Sequence, residues 1–177
     1  VFDNSSDAFG IVFSDSLHPI FHTYQDAILI VDKTPKEVSS SLGHRLMGKH
    51  PFAPSRFLQA NNHISLLKNA LIKGDIETFI YLVEKEALTL HAMMMTSSPY
   101  FILMQPNTIE IIKKVWKYRQ ETNKIICFTL DAGANIHLLY PKKEKKEIEN
   151  FIKAELASFC FEKKIIWDFV GQGSKKV

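Results

Sequence analysis

Cysteine is scarce in this chain, two in 177 residues, and neither Cys127 nor Cys160 has a second Cys or a His at metal-ligand spacing. That excludes a disulfide scaffold and the usual zinc patterns. Both thiols lie in apolar runs and are expected to be buried and free, as in a reducing compartment. No run of apolar residues approaches the ~20 that a membrane span needs, and no signal peptide is visible, so the cytoplasm is the expected location. Charge excess is also lacking: 22 Lys and Arg against 19 Asp and Glu give +3. Much of the surplus sits in Lys142, Lys143, Lys145 and Lys146, where Glu144, Glu147 and Glu149 interrupt it. Such a segment is the solvated face of a helix, not the broad basic patch that a nucleic acid requires. Gly-rich phosphate loops, serine elbows, zinc-type His pairs and Cys–His sets are likewise missing.

Apolar residues, by contrast, make up 46% of the chain and thirteen are Phe, enough to build the core of one domain. The chain opens on Val1 and runs into Phe9–Phe13, from which a preceding segment is expected. Ala27 to Val31 is a β-branched run ending at Asp32 and predicts a buried strand. A polar loop, Lys33 to Ser41, follows, and then an ambiguous stretch to Lys49. Phe57, Ala60, Ile64, Leu67 and Leu71 recur at helical spacing, with Gly74 closing the helix. Asp75 caps a second helix whose stripe is Ile76, Phe79, Ile80, Val83, Ala87, Leu90 and Met94, and the short turn makes the two antiparallel. Asn107 to Glu110 resembles a capping box for a third helix that ends near Asn123. Strands at Ile125–Leu130 and Ile136–Tyr140 flank the turn Asp131–Asn135 and form a possible hairpin. A helix from about Lys142 to Phe159, a strand at Ile165–Val170 and a loose tail complete the chain. The expected fold is α+β, an antiparallel sheet with helices packed on one face.

The turn at Asp131 is the most suggestive feature. A carboxylate at the end of an apolar strand, beside Gly133, is placed to accept or orient a hydroxyl proton of a ligand; Asp and Gly are also ordinary turn formers. Ser39, Ser40 and Ser41 before Gly43 offer hydroxyls and N–H groups to a phosphate, or form a plain polar loop. His91 lies beside the stripe of its helix, either as a satisfied half-buried histidine or as a site residue. Met93, Met94 and Met95 are core filler in the simpler reading. Arg45, Lys49 and Arg56 form either a basic cluster near the serine loop or ordinary surface charge.

Three separated segments together resemble one family. Lys36–His44, with its run Ser39-Ser40-Ser41, resembles the serine loop of diphosphomevalonate decarboxylases. Leu90-His91-Ala92 resembles a short motif on their central helix. Cys127-Phe128-Thr129-Leu130-Asp131-Ala132-Gly133-Ala134-Asn135 resembles their signature, a strand ending in Asp-Ala-Gly-Pro-Asn, with Ala134 in the place of the proline. The resemblance extends from about Asp26 to Gly173. It implies the C-terminal domain of a GHMP-superfamily enzyme, ferredoxin-like in fold, spanning 1–177, with 1–25 as the tail of an N-terminal half or a linking strand. It further implies ATP-dependent decarboxylation of diphosphomevalonate to isopentenyl diphosphate in isoprenoid synthesis. Asp131 would act on the 3-hydroxyl. Ser39, Ser40, Ser41, His91 and Gly133 would serve substrate binding. ATP and Mg2+ would be held mainly by the N-terminal half, without which the chain is expected to be inactive. A homodimer fits the resemblance. Two alternatives stay open: a relative acting on mevalonate or its monophosphate, as 3-kinase or decarboxylase, and a non-catalytic GHMP-like binding domain.

Overall fold

The computed structural model describes residue 13 and residues 16–34 and 46–171. Four strands, β1 (Tyr24–Leu29), β2 (Cys127–Thr129), β3 (Ile136–Pro141) and β4 (Ile165–Phe169), form one sheet in the order β2-β3-β1-β4. All three pairings are antiparallel. With helices between β1 and β2 and between β3 and β4, this is the ferredoxin-like, split βαβ arrangement. The expected α+β class and antiparallel sheet are borne out.

Between β1 and β2 come α1 (Ala53–Lys73), α2 (Ile76–Met95) and α3 (Pro106–Thr122); α4 (Lys145–Phe151) lies between β3 and β4. The strands alternate. Ala27 and Leu29 of β1, Phe128 of β2, and Ile136, Leu138 and Tyr140 of β3 are buried against Ile111, Ile112 and Val115 of α3 and Ile148 of α4. Ile152 and Leu156 continue that face through a π-turn that extends α4. The largest core therefore lies on one face of the sheet. A smaller cluster joins Cys127 and Phe79 to Phe21 and Tyr24, where α1 and α2 meet the opposite face near β2.

The α1–α2 turn follows the expected chemistry. Gly74 takes the left-handed conformation at φ 74°, and the Asp75 side chain accepts from the N–H of Thr78 at 3.1 Å, satisfying one of the free donors of α2. The apolar spacing of α1 describes its burial less well. Phe57 and Ile64 are exposed, and only Ala53 and Ala70 are fully buried. Leu67 and Leu71 pack on the smaller cluster, and polar contacts add to that: Glu86 of α2 accepts from Arg56 and lies 2.6 Å from His63 of α1. Arg56 is thus a helix–helix contact.

Several boundaries differ from those expected, and for α3 and β1 the contacts give the reason. The cap of α3 is Gln105, whose N–H donates to Thr108 Oγ1 at 3.2 Å, because Pro106 is itself suited to the first helical position. Asn107 is inside the helix and donates to the Phe159 carbonyl at 3.0 Å. On the same helix Ile111, Ile112 and Val115 face the core, and Ile109 is exposed. β1 begins at Tyr24 and ends at Leu29, because the N–H groups of Val31 and Asp32 leave the ladder to donate to the Asn135 side chain.

Candidate functional site

Asp131 follows β2 after the buried Leu130 and is itself exposed. Its own carbonyl takes two donors: the Gly133 N–H at 2.8 Å and His91 Nε2 at 3.0 Å. A carbonyl accepts only, so His91 carries its hydrogen on Nε2. His91 is 1% exposed, and burial holds its pKa below the ordinary histidine value, although the Asp131 carbonyl and charge work the other way. A neutral ring therefore braces the backbone under the carboxylate. His91 and Asp131 are brought together as the sequence suggests, but the histidine meets the turn from behind and is not on the cavity wall.

The rest of the turn is fixed just as firmly. Thr108, fully buried on α3, donates its hydroxyl to the Ala134 carbonyl at 2.8 Å. Asn135 Oδ1 accepts from Val31 N–H at 2.9 Å and Asp32 N–H at 3.1 Å. The turn is thus attached to the start of α3, the last turn of α2 and the end of β1. Gly133 is buried and does not take the left-handed conformation; what it contributes is a close N–H beneath Asp131.

Asp131, Gly133, Ala134 and Asn135 line a cavity of about 360 Å³ with Asp32, Thr34, Gln105 and His137. His137 lies on the sheet face opposite the large core, next to Asp26. The register sets Asp26 opposite Leu139, which makes His137 its diagonal neighbour. His137 Nδ1 is 2.8 Å from Asp26 Oδ2. That bond raises the imidazole pKa against the opposing effect of partial burial, and the charges of Asp26 and Asp131 add to the rise. The sequence reading passed over both residues. Their signal was the two-residue alternation, in which His137 interrupts the buried series Ile136, Leu138 and Tyr140 as a polar group facing the other way. Ser39, Ser40 and Ser41 lie outside the described residues.

Among the described residues, the cavity wall carries no Lys or Arg, and no group of three His, Cys, Asp or Glu converges as a metal site would require. No helix among the described residues is long and apolar enough to cross a membrane.

Fold and site together define a ferredoxin-like α+β domain that presents one braced carboxylate to a polar cavity. Residues 27–175 match the family model described as the mevalonate 5-diphosphate decarboxylase C-terminal domain, and the chain belongs to that family. Among curated proteins, the phosphomevalonate decarboxylase of Haloferax volcanii is 23% identical over 127 residues, covering 72% of this chain and 39% of that protein. Among solved structures, mevalonate pyrophosphate decarboxylase from Streptococcus pyogenes superposes with a TM-score of 0.76 at 21% identity, covering 87% of this chain and 46% of that one. A structure concerned with mevalonate diphosphate-mediated ATP binding, of the mevalonate diphosphate decarboxylase from Enterococcus faecalis, gives 0.73 at 17%, covering 85% and 44%. These likenesses fix the fold. The chain spans less than half the length of each of the three.

Proposed function

We propose that this chain is the C-terminal half of an ATP-dependent decarboxylase of diphosphomevalonate, and that Asp131 accepts or orients the proton of the substrate's 3-hydroxyl. The observation that carries the proposal is the bracing of Asp131. Its backbone carbonyl takes two donors, so the carboxylate stands on an anchored main chain at the edge of a cavity. A general base must be held within hydrogen-bond reach of the proton it takes, and a pinned turn supplies that. The family membership supports the same reading, as does the ATP binding of the enterococcal decarboxylase. ATP and Mg2+ are assigned mainly to an N-terminal half; among the described residues, the wall of the Asp131 cavity carries no Lys or Arg and no His, Cys, Asp and Glu cluster suited to a metal forms. Ser39, Ser40 and Ser41 are assigned to the substrate's diphosphate and Gly133, on the cavity wall, to substrate binding; His91, expected at the substrate, is assigned instead to holding Asp131 in place. The chain alone is proposed to be inactive, and the complete enzyme to be a cytoplasmic homodimer.

The Haloferax relative is a phosphomevalonate decarboxylase, and a second reading takes the monophosphate as the substrate. Side-by-side turnover separates the two. ADP release by the complete protein is measured with MgATP and mevalonate, its phosphate or its diphosphate, in wild type and Asp131→Asn. The proposal expects the diphosphate to be preferred and the asparagine variant to lose about 10²–10⁴-fold. Preference for the monophosphate would select the second reading. An asparagine variant as fast as wild type would remove Asp131 from the chemistry.

A further inference from the structure

Acidic groups outnumber basic ones among the described residues of the cavity wall. Among the described residues that line it, Asp32 and Asp131 bring carboxylates, and His137 alone can bring positive charge. The substrate class proposed above is a polyanion with a carboxylate and phosphate groups. A cation on the cavity wall favours such a ligand, because opposite charges at contact distance in a partly enclosed site interact several-fold more strongly than in water.

His137 is built to be that cation. Its Nδ1 is committed to Asp26 Oδ2 at 2.8 Å, and a carboxylate only accepts, so Nδ1 carries hydrogen. Protonation then places the second hydrogen on Nε2, on a residue that already lines the cavity. The other oxygen of Asp26, Oδ1, is buried and has no hydrogen-bond partner among the described residues, so His137 is the cation against which that carboxylate is compensated. The neighbouring elements agree. From β1 comes Asp26, from the β2–β3 turn Asp131, and from the segment after β1 Asp32. Asp168 of β4 pairs with Asp26 in the register. β2 contributes the uncharged Thr129 opposite His137, and the cap of α3 contributes Gln105. Every one of these charged neighbours is acidic, which favours the imidazolium.

We infer that His137, held by Asp26, is the cationic hydrogen-bond donor that this half of the site offers to an anionic oxygen of the substrate, a carboxylate or a phosphate. The inference rests on the reading of Asp131 given above and adds a binding residue to it.

Calorimetric titration of the complete protein tests this with two ligands. Diphosphomevalonate carries both a carboxylate and a diphosphate, while isopentenyl diphosphate lacks the carboxylate. Wild type, His137→Gln, His137→Lys and Asp26→Asn are compared from below the ordinary histidine pKa of 6.5 to well above it. In wild type, affinity should fall as pH rises through the elevated His137 pKa and the ring loses its charge. His137→Gln should bind about tenfold or more weakly at low pH, the usual size of a lost charge-assisted hydrogen bond. His137→Lys should keep most of the affinity and lose the pH dependence over this range. Asp26→Asn should move the fall to lower pH. Weakening of diphosphomevalonate alone assigns the oxygen to the carboxylate; weakening of both ligands assigns it to a phosphate. Wild-type affinity in His137→Gln at every pH, or equal weakness of the lysine and glutamine variants, overturns the inference. If turnover still depends on Asp131 in that case, the inference fails alone. If neither ligand binds wild type, the reading of the reaction fails with it.

Discussion

Replacing Thr108 with valine removes one hydroxyl and nearly preserves the shape of the side chain. The hydroxyl does two things at a fully buried position: it donates to the Ala134 carbonyl at 2.8 Å and accepts from the Gln105 N–H at 3.2 Å. In the variant, a buried carbonyl loses its donor, at a cost of about 1–3 kcal/mol. The Gln105 N–H lies where water has partial access, so its loss is about 0.5–1.5 kcal/mol, the usual net worth of one hydrogen bond. The sum is about 1.5–4.5 kcal/mol, large for an isosteric change. Urea unfolding of wild type and variant, fitted with a common slope, gives the difference directly. Thr108→Ser is the control, since it keeps the hydroxyl and loses one methyl, worth about 1 kcal/mol. If valine is as stable as threonine, or if serine costs more than valine, the hydrogen bonds do not hold the turn and the account of Asp131 bracing is wrong.

Gly74→Ala should destabilise by about 1–2 kcal/mol in the same assay, because φ is +74° and an added Cβ would stand 2.7 Å from the His18 ring; an unchanged midpoint would refute that geometry. Glu84→Gln removes the charge opposite Arg119, which donates to it at 2.6 and 3.0 Å. The expected loss is about 2–3 kcal/mol, below the 3–5 of a fully buried pair because the Arg119 side chain keeps 26% of its exposure. A loss under about 0.5 kcal/mol would demote the contact to an ordinary surface pair. Stability should also fall with acid through His91. Its folded pKa lies below the ordinary 6.5, so the unfolded chain binds the extra proton first, and stability present above pH 6.5 drains away as pH falls through the folded value. The acid slope of the urea midpoint should be shallower in His91→Gln. An identical slope would mean that His91 is not the buried neutral group described.

The elements legible in the sequence were those fixed by local chemistry. Gly74 ends α1 and Asp75 starts α2 because a left-handed glycine and a capping carboxylate act over three or four residues. The β2–β3 hairpin was legible because apolar alternation on both sides of a polar turn leaves few other pairings. Burial along α1 was not, since helical spacing of Phe57 and Ile64 says which face they share and nothing about whether a partner covers it. The cap of α3 was misplaced because Asn107 is a better cap by type than Gln105, while the structure puts Pro106 at the first helical position and uses Asn107 to reach Phe159. In the site, Asp131 was visible as a strand-ending carboxylate. Asp26 was not, because its function depends on a diagonal contact across β1 and β3, residues 111 apart in the chain.

Ala134 shows how the two kinds of information meet. The signature that this turn resembles has proline there, and proline would stiffen the turn by fixing one backbone angle. This chain has no such local constraint at that position. Rigidity comes from outside the turn, through Thr108 on the Ala134 carbonyl, His91 on the Asp131 carbonyl and two strand-end N–H groups on Asn135. These four contacts originate on three different elements, so a displacement of Asp131 must break several hydrogen bonds together. A proline restricts the folded and unfolded chain alike, whereas tertiary contacts exist only in the folded one. The position of the carboxylate is therefore coupled to the integrity of the whole α2–α3–β1 surround, and variants such as Thr108→Val should lower turnover and stability together, while leaving Asp131 itself untouched.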